Sequence, residues 1–369
     1  MKKIPFVDLS AQYQSIRPQI DTAMQAVMEQ TAFIGGNNPF VQEFEKAFAA
    51  YLGVQTVVSC ANGTDSLEIL LKAYGVGPDD EVIVPAMSWI STSEVVSAVG
   101  AKPVFVDIDP VYYTIDPSKI EAAITAKTKA IIPVHLYGQV VDMDPVMELS
   151  KRYDLWVIED CAQAHGALYK GRMAGTIGHA SSFSFYPGKN LGAYGDAGGI
   201  ATNDVQIATI CRMIANHGQQ GKHNHVIEGR NSRMDGLQAA VLSAKLPFLP
   251  GWTLQRIAHA SQYDSLFQNS AVVTAQVRPQ SQHVFHLYVI QVANRTELSA
   301  RLKEQGIETA IHYPRALPFL PCYAKNGYTP ADFPVAASFQ EKIISLPMFA
   351  ELTEAAIAYV SAAVKQVTG

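Results

Sequence analysis

Ser182-Phe-Ser-Phe-Tyr-Pro-Gly-Lys-Asn-Leu-Gly192 carries a short apolar run into a break at Pro187-Gly188, and the break delivers Lys189. Twenty-nine residues upstream of that lysine a second apolar run, Leu155 to Ile158, ends in Glu159-Asp160. Both runs read as buried strands with a charged side chain at the exit. Such a charge must be solvated, paired or functional, because burying it unpaired is expensive. One lysine and one aspartate so placed are what an enzyme needs to hold pyridoxal phosphate, although Lys189 taken alone reads as a surface lysine. The amine forms a Schiff base with the aldehyde, and the carboxylate keeps the ring nitrogen protonated so that the ring acts as an electron sink.

Working outward, short β-rich runs recur at 56–59, 82–84, 103–106, 130–134, 155–158 and 182–186. Helical stretches separate most of them: Asp65–Tyr74, Ser91–Val99, Pro117–Ile124 and Met143–Tyr153. Nearly continuous apolar strands alternating with helices predict an α/β fold with a mostly parallel sheet covered on both faces. In such sheets ligands gather beyond the carboxyl ends of the strands, where Ser59–Thr64, Asp160 and Lys189 all fall. Upstream, Ser10–Gln30 reads as one amphipathic helix, followed by a turn at 35–39 and a helix over Val41–Tyr51. Downstream, Met234–Lys245 and Leu254–Gln268 read as long helices bridging two domains. Beyond about residue 270 come a strand (His286–Val292), a helix (Thr296–Gln305), a short strand into Ile311-His-Tyr-Pro314 and further helices. The expected division is a large domain over 1–250 and a smaller α+β domain over 251–369.

At 369 residues, 48% of them hydrophobic, the chain can bury a large core, and its net charge of −5 offers no basic field for nucleic acid. The N-terminus has no apolar signal segment and no run approaches a membrane span, so the expected location is the cytoplasm. Four scattered cysteines without a CxxC indicate neither zinc nor a disulfide framework. His217, His223 and His225 cluster loosely but lack ligand spacing, so no metal is expected. They read as part of a loop, either solvated or closing over substrate.

Each chemical residue has a plainer reading beside it. Asn62-Gly63-Thr64 stands between strand and helix, where amides bind phosphate, or where Asn62 simply caps the helix. Trp89 is placed to lie against a cofactor ring, or in a core or interface. Asp160 serves a pyridinium N–H or caps the next segment, and Gln163 is within reach of the ring's phenolic oxygen. The Gly188-Lys189 pair is not a P-loop: Phe183 and Asn190 break GxxxxGK[ST]. Nor do Gly192, Gly195 and Gly198-Gly199 make a dinucleotide fingerprint, since a strand pattern follows.

The residues together resemble the DegT/DnrJ/EryC1/StrS sugar aminotransferases, pyridoxal-phosphate enzymes of the aspartate-aminotransferase fold (fold type I). The resemblance runs through Phe6–Leu9, Ser59–Asp65, Gly77–Ile83, Ala101–Val104, Val134–Gly138, Ile158–Gln163, Ser184–Gly192, Asn231–Asp235 and His312–Pro314. It implies that Lys189 is the Schiff-base lysine and proton shuttle, with Asp160 on the ring nitrogen and Gln163 on the ring hydroxyl. Gly63, Thr64 and Ser184 would hold the phosphate and Trp89 would stack on the ring. Asn231 would reach the phosphate of a neighbouring subunit, making the active site a property of a homodimer. Tyr186, His312 and Tyr313 resemble residues on the sugar side. The wording around Lys189 is similar to that of members that aminate C3 of a dTDP- or UDP-linked 3-keto sugar, with L-glutamate as donor and 2-oxoglutarate as product. A 4-keto sugar or keto-cyclitol is the alternative acceptor. A regulatory protein on the same scaffold is the non-catalytic alternative.

Overall fold

A computed structural model describes residues 3–35 and 37–368. Gly36, part of the expected turn, lies outside the described residues, as do Met1, Lys2 and Gly369. The alternating pattern builds a seven-stranded sheet from β1 (Thr56–Cys60), β2 (Glu81–Pro85), β3 (Lys102–Val106), β4 (Thr128–Ile131), β5 (Trp156–Asp160), β6 (Ala180–Ser184) and β7 (Gly198–Thr202). The order across the sheet is β1-β7-β6-β5-β4-β2-β3. β7 alone runs against its neighbours, β1 and β6; the remaining pairings are parallel. The carboxyl ends of β1 to β6 therefore share one edge.

The near-continuous apolar strands are explained by burial on both faces. Val82 and Val84 of β2 enter one core, packed by α4 (Gly63–Ala73), α5 (Ser91–Ala98) and α7 (Val205–Ala215). Ile83 enters the other, packed by α3 (Pro39–Leu52), α6 (Met143–Tyr153) and α8 (Gly236–Lys245). A third core joins α9 (Leu249–Phe267), α10 (Arg295–Glu304) and α12 (Glu354–Thr368) to an antiparallel sheet of β8 (Val273–Thr274), β9 (Tyr288–Gln291) and β10 (Ile343–Leu346). Ile4 reaches this core too, pairing with Ile307. Between this sheet and the first core lies α11 (Pro334–Lys342), which packs against β9 and sends Ala336 and Phe339 into the first core.

Several local expectations are corrected. The single helix over Ser10–Gln30 is two, α1 (Leu9–Ser15) and α2 (Arg17–Glu29). Pro18 has no N–H to give and its ring crowds the preceding turn, so the chain breaks at Ile16. Pro117–Ile124 is two short 3-10 turns, not a helix. The second bridging helix begins at Leu249, one 3-10 turn after α8; α8 packs on α3 and α2, and α9 packs on α12. The expected strand into Ile311–Pro314 is one bridge, Ala310 to Ser345, after which the chain leaves the sheet.

Candidate active site

The shared edge of the sheet is where the sequence-predicted residues meet. Asn62 caps α4, its Oδ1 accepting from Asp65 N at 2.8 Å. The capping reading of Asn62 is right, and it leaves the Gly63 and Thr64 amides in the first turn, where no intrahelical carbonyl can reach them. Gly63 lies so near the end of β6 that a Cβ there would stand 2.7 Å from Ser184 Cβ. Thr64 Oγ1 is 2.7 Å from Ser91 Oγ, which brings the start of α5 to the same wall.

Asp160 ends β5 and is 6% exposed. Its carboxylate accepts from Thr92 Oγ1 at 3.0 Å and from Ala162 N at 3.1 Å. Burial pushes this carboxyl up, while those two hydrogen bonds and the charge of Lys189 pull it back. Lys189 follows β6 in a turn closed by its own amide on Tyr186 O at 2.8 Å. Burial pushes its ammonium down to about 8, with the Asp160 charge resisting. Desolvation thus favours the neutral form of both groups, and the opposite charge of each offsets part of that.

Gln163 bridges two tyrosines: Oε1 accepts from Tyr137 N at 2.6 Å, and Nε2 donates to Tyr313 Oη at 3.0 Å. Tyr313 lies 5.5 Å from the Trp89 ring, tilted by 44°, and Trp89 itself is 57% exposed. His312 is held by Ser345 Oγ at 2.9 Å and stacks on Phe6; burial pushes its imidazolium down to about 4. Tyr186 is exposed at the rim.

Gly63, Thr64, Trp89, Asp160, Gln163, Ser184, Tyr186, Lys189, His312 and Tyr313 all line one cavity of about 720 Å³. Asn231 does not. It is exposed, and its neighbours are tied to α4: Arg230 reaches Asp65 at 2.9 Å and Ser232 Oγ donates to Asp65 at 2.6 Å. Sequence reasoning missed Thr92, Ser88 and Asp196, which line the same cavity. Ser88 backs Thr92 at 2.8 Å.

Beneath the site, His135 and Glu159 are fully buried, Nε2 and Oε2 2.8 Å apart. Val141 N donates to His135 Nδ1, so Nε2 carries the proton and donates to Glu159. Burial alone would raise Glu159, but His135 and the amides of Gly178 and Gly175 hold it below the ordinary carboxylate range. With Cys161 these two residues have metal-ligand proximity, yet the carboxylate is already filled by N–H donors. His217, His223 and His225 form no such cluster among the described residues.

The donor set fits pyridoxal phosphate. A cradle that a Cβ would fill sits at a helix N-terminus, a buried acid shares the cavity with a partly exposed amine, and aromatic side chains line the same wall. These features define a lysine-dependent pyridoxal-phosphate enzyme. The DegT/DnrJ/EryC1/StrS aminotransferase family matches residues 14–365, and the chain belongs to that family. It is 47% identical to the "pleiotropic regulatory protein" of Geobacillus stearothermophilus, over 97% of this chain and 96% of that one. It is 42% identical to the UDP-2-acetamido-2-deoxy-3-oxo-D-glucuronate aminotransferase of Pseudomonas aeruginosa, over 98% and 99%. Among solved structures, that of S. venezuelae DesV in complex with a ketimine intermediate superposes with a TM-score of 0.97 at 39% identity, covering 100% of this chain and 99% of that one.

Proposed function

We propose that this chain transfers the amino group of L-glutamate to C3 of a dTDP- or UDP-linked 3-keto sugar, acting in the cytoplasm as a homodimer. The observation that carries the reading is the desolvated Lys189 facing Asp160 in one cavity, in a chain 42% identical to an aminotransferase whose name specifies a UDP-linked 3-oxo sugar. When bound, pyridoxal phosphate supplies an aldehyde for amine capture and a protonated ring that draws electron density from the carbon beside the nitrogen. Gly63, Thr64 and Ser184 would hold its phosphate, Asp160 its ring nitrogen, Gln163 its ring hydroxyl and Trp89 its face.

Lys189 Nζ is the general base that takes the proton from Cα of glutamate. In the return half it delivers a proton to C3 of the sugar. Its lowered basicity suits both tasks, since it is neither locked as ammonium nor too weak to accept. Tyr186, His312 and Tyr313 orient the sugar. Among the described residues lining the cavity, Lys189 is the sole lysine or arginine, beside Asp65, Asp160 and Asp196. A nucleoside diphosphate and a dicarboxylate need further donors. A neighbouring copy supplies them, with Asn231 beside the phosphate.

The relative with a regulatory name favours a second reading, a cofactor-binding regulator. A regulator has no need of a lysine that desolvation shifts toward the free amine. The test supplies glutamate with 3-keto sugars, 4-keto sugars and keto-cyclitols, and follows the products by mass spectrometry. Amination of the 3-keto sugar, abolished in Lys189→Ala, is the expected result. Amination of the 4-keto or cyclitol substrate alone would move the acceptor, and no amination of any of them would favour the regulator.

A further inference from the structure

Lys245, at the end of α8, is fully buried, an expensive place for an ammonium. Among the described residues no carboxylate lies within ion-pair reach of it. Its one hydrogen bond runs from Nζ to the carbonyl of Gly192, at 2.8 Å, and Nζ also lies 4.3 Å from the centre of the Tyr194 ring. Gly192 stands three residues after Lys189, in the turn that carries it.

The turn is closed upon itself at this point. A Cβ on Gly192 would stand 2.3 Å from Pro187 O, and Ala193 N donates to Phe185 O at 2.8 Å. Fixing Gly192 therefore fixes both feet of the Pro187–Gly192 loop. α8 makes a second tie two turns earlier on the same face: Gln238 Oε1 accepts from Tyr194 N at 2.9 Å. On the far side Asn190 is held by His286 Nδ1 at 3.1 Å and by Val284 O at 3.3 Å.

We propose that Lys245 is a positioning residue for the reaction: its buried ammonium clamps the Gly192 carbonyl, so that the backbone beneath Lys189 stays fixed while the lysine side chain swings between donor and acceptor carbons. Burial pushes the Lys245 ammonium down to about 8, with the charge of Glu351 resisting, so below that pH the carbonyl is held by a charged donor, which resists displacement better than a neutral one. The ring of Tyr194 adds a face that favours a cation in that place. Lys245 touches no substrate, and its effect passes through the loop.

The inference rests on Lys189 being the reacting lysine, and its test separates the two. Lys245→Met keeps the length and apolar stem and removes the charge. Hydrogen exchange of the cofactor-free protein should show the 186–195 amides exchanging faster than in the wild type while the amides of β2 and β4 keep their protection. In the loaded enzyme kcat should fall about tenfold. KM for glutamate should stay within about twofold, because donor contacts are untouched. Lys245→Gln, which retains an N–H donor, should recover part of both losses. Unchanged exchange at 186–195, or faster exchange everywhere alike, overturns the clamp. So does a rise in KM with kcat unaltered. If Lys245→Met does not fold, Lys245→Gln is read by the same criteria, loosening confined to 186–195 supporting the clamp. Activity surviving in Lys189→Ala would overturn the assignment of Lys189 while the exchange result still decides the clamp.

Discussion

Lys189 and Asp160 share a cavity that buries the carboxylate and leaves the lysine only partly exposed, and their titration follows from that desolvation. Burial brings the lysine down to about 8, and the aspartate, the main opposing influence, keeps it from falling further. Below that pH the apoprotein presents an ammonium, which cannot attack an aldehyde; above it the free amine predominates. Covalent uptake of pyridoxal phosphate by the apoprotein, trapped by borohydride, should therefore speed up as pH rises and level off above about 8. Asp160→Asn removes the charge that raises Lys189, so the midpoint should move to lower pH. A midpoint unchanged in Asp160→Asn, or a rate falling with pH, would contradict the pairing. Both residues were legible in the sequence, because each is a charge at the exit of an apolar run. Thr92 was not, although it bonds Asp160 directly. A hydroxyl in the first turn of a helix looks the same whether it reaches a carboxylate 68 residues away or water.

At the scale of elements, the helices and strands were readable where hydrophobic period and length agreed, as in β2 with α5 or β5 with α6. They were misread at Pro18, because amphipathic spacing continues through a residue that cannot donate, and over Pro117–Ile124, where the chain makes two 3-10 turns in place of a helix. The pairing of β7 against the rest was also hidden: a buried antiparallel strand has the same apolar run as a parallel one. The junction of β1, α4 and β6 depends on backbone proximity at Gly63. Gly63→Ala places a methyl group 2.7 Å from Ser184 Cβ, so one wall must move. Overpacking of this kind costs ~1–3 kcal/mol. Because the strain sits at the amides of the phosphate cradle, cofactor affinity should fall by about tenfold or more, measured by titrating apoprotein with pyridoxal phosphate. Equal affinity in Gly63→Ala would place the phosphate elsewhere.

For the whole molecule, the decisive residue is the one that the fold leaves out of its own cavity. Asn231 is exposed, yet it is not loose: Arg230 pairs with Asp65 and with Glu68 at 2.7 Å, and Ser232 is fastened to Asp65. A side chain presented outward between two anchored neighbours is suited to complete a site on another copy. Closed two-fold symmetry would then give each of two sites one Lys189 and the opposite chain's Asn231. Lys189→Ala and Asn231→Ala homodimers should each be weak or inactive when pyridoxal phosphate is limiting. Unfolded and refolded together in equal amounts, half the dimers should be mixed, and each mixed dimer should contain one complete site, built from the intact lysine of one chain and the intact asparagine of the other. About a quarter of wild-type activity should return. If Asn231 served its own chain's cavity, the mixed dimer would hold no complete site beyond those of its parents, and mixing would restore nothing.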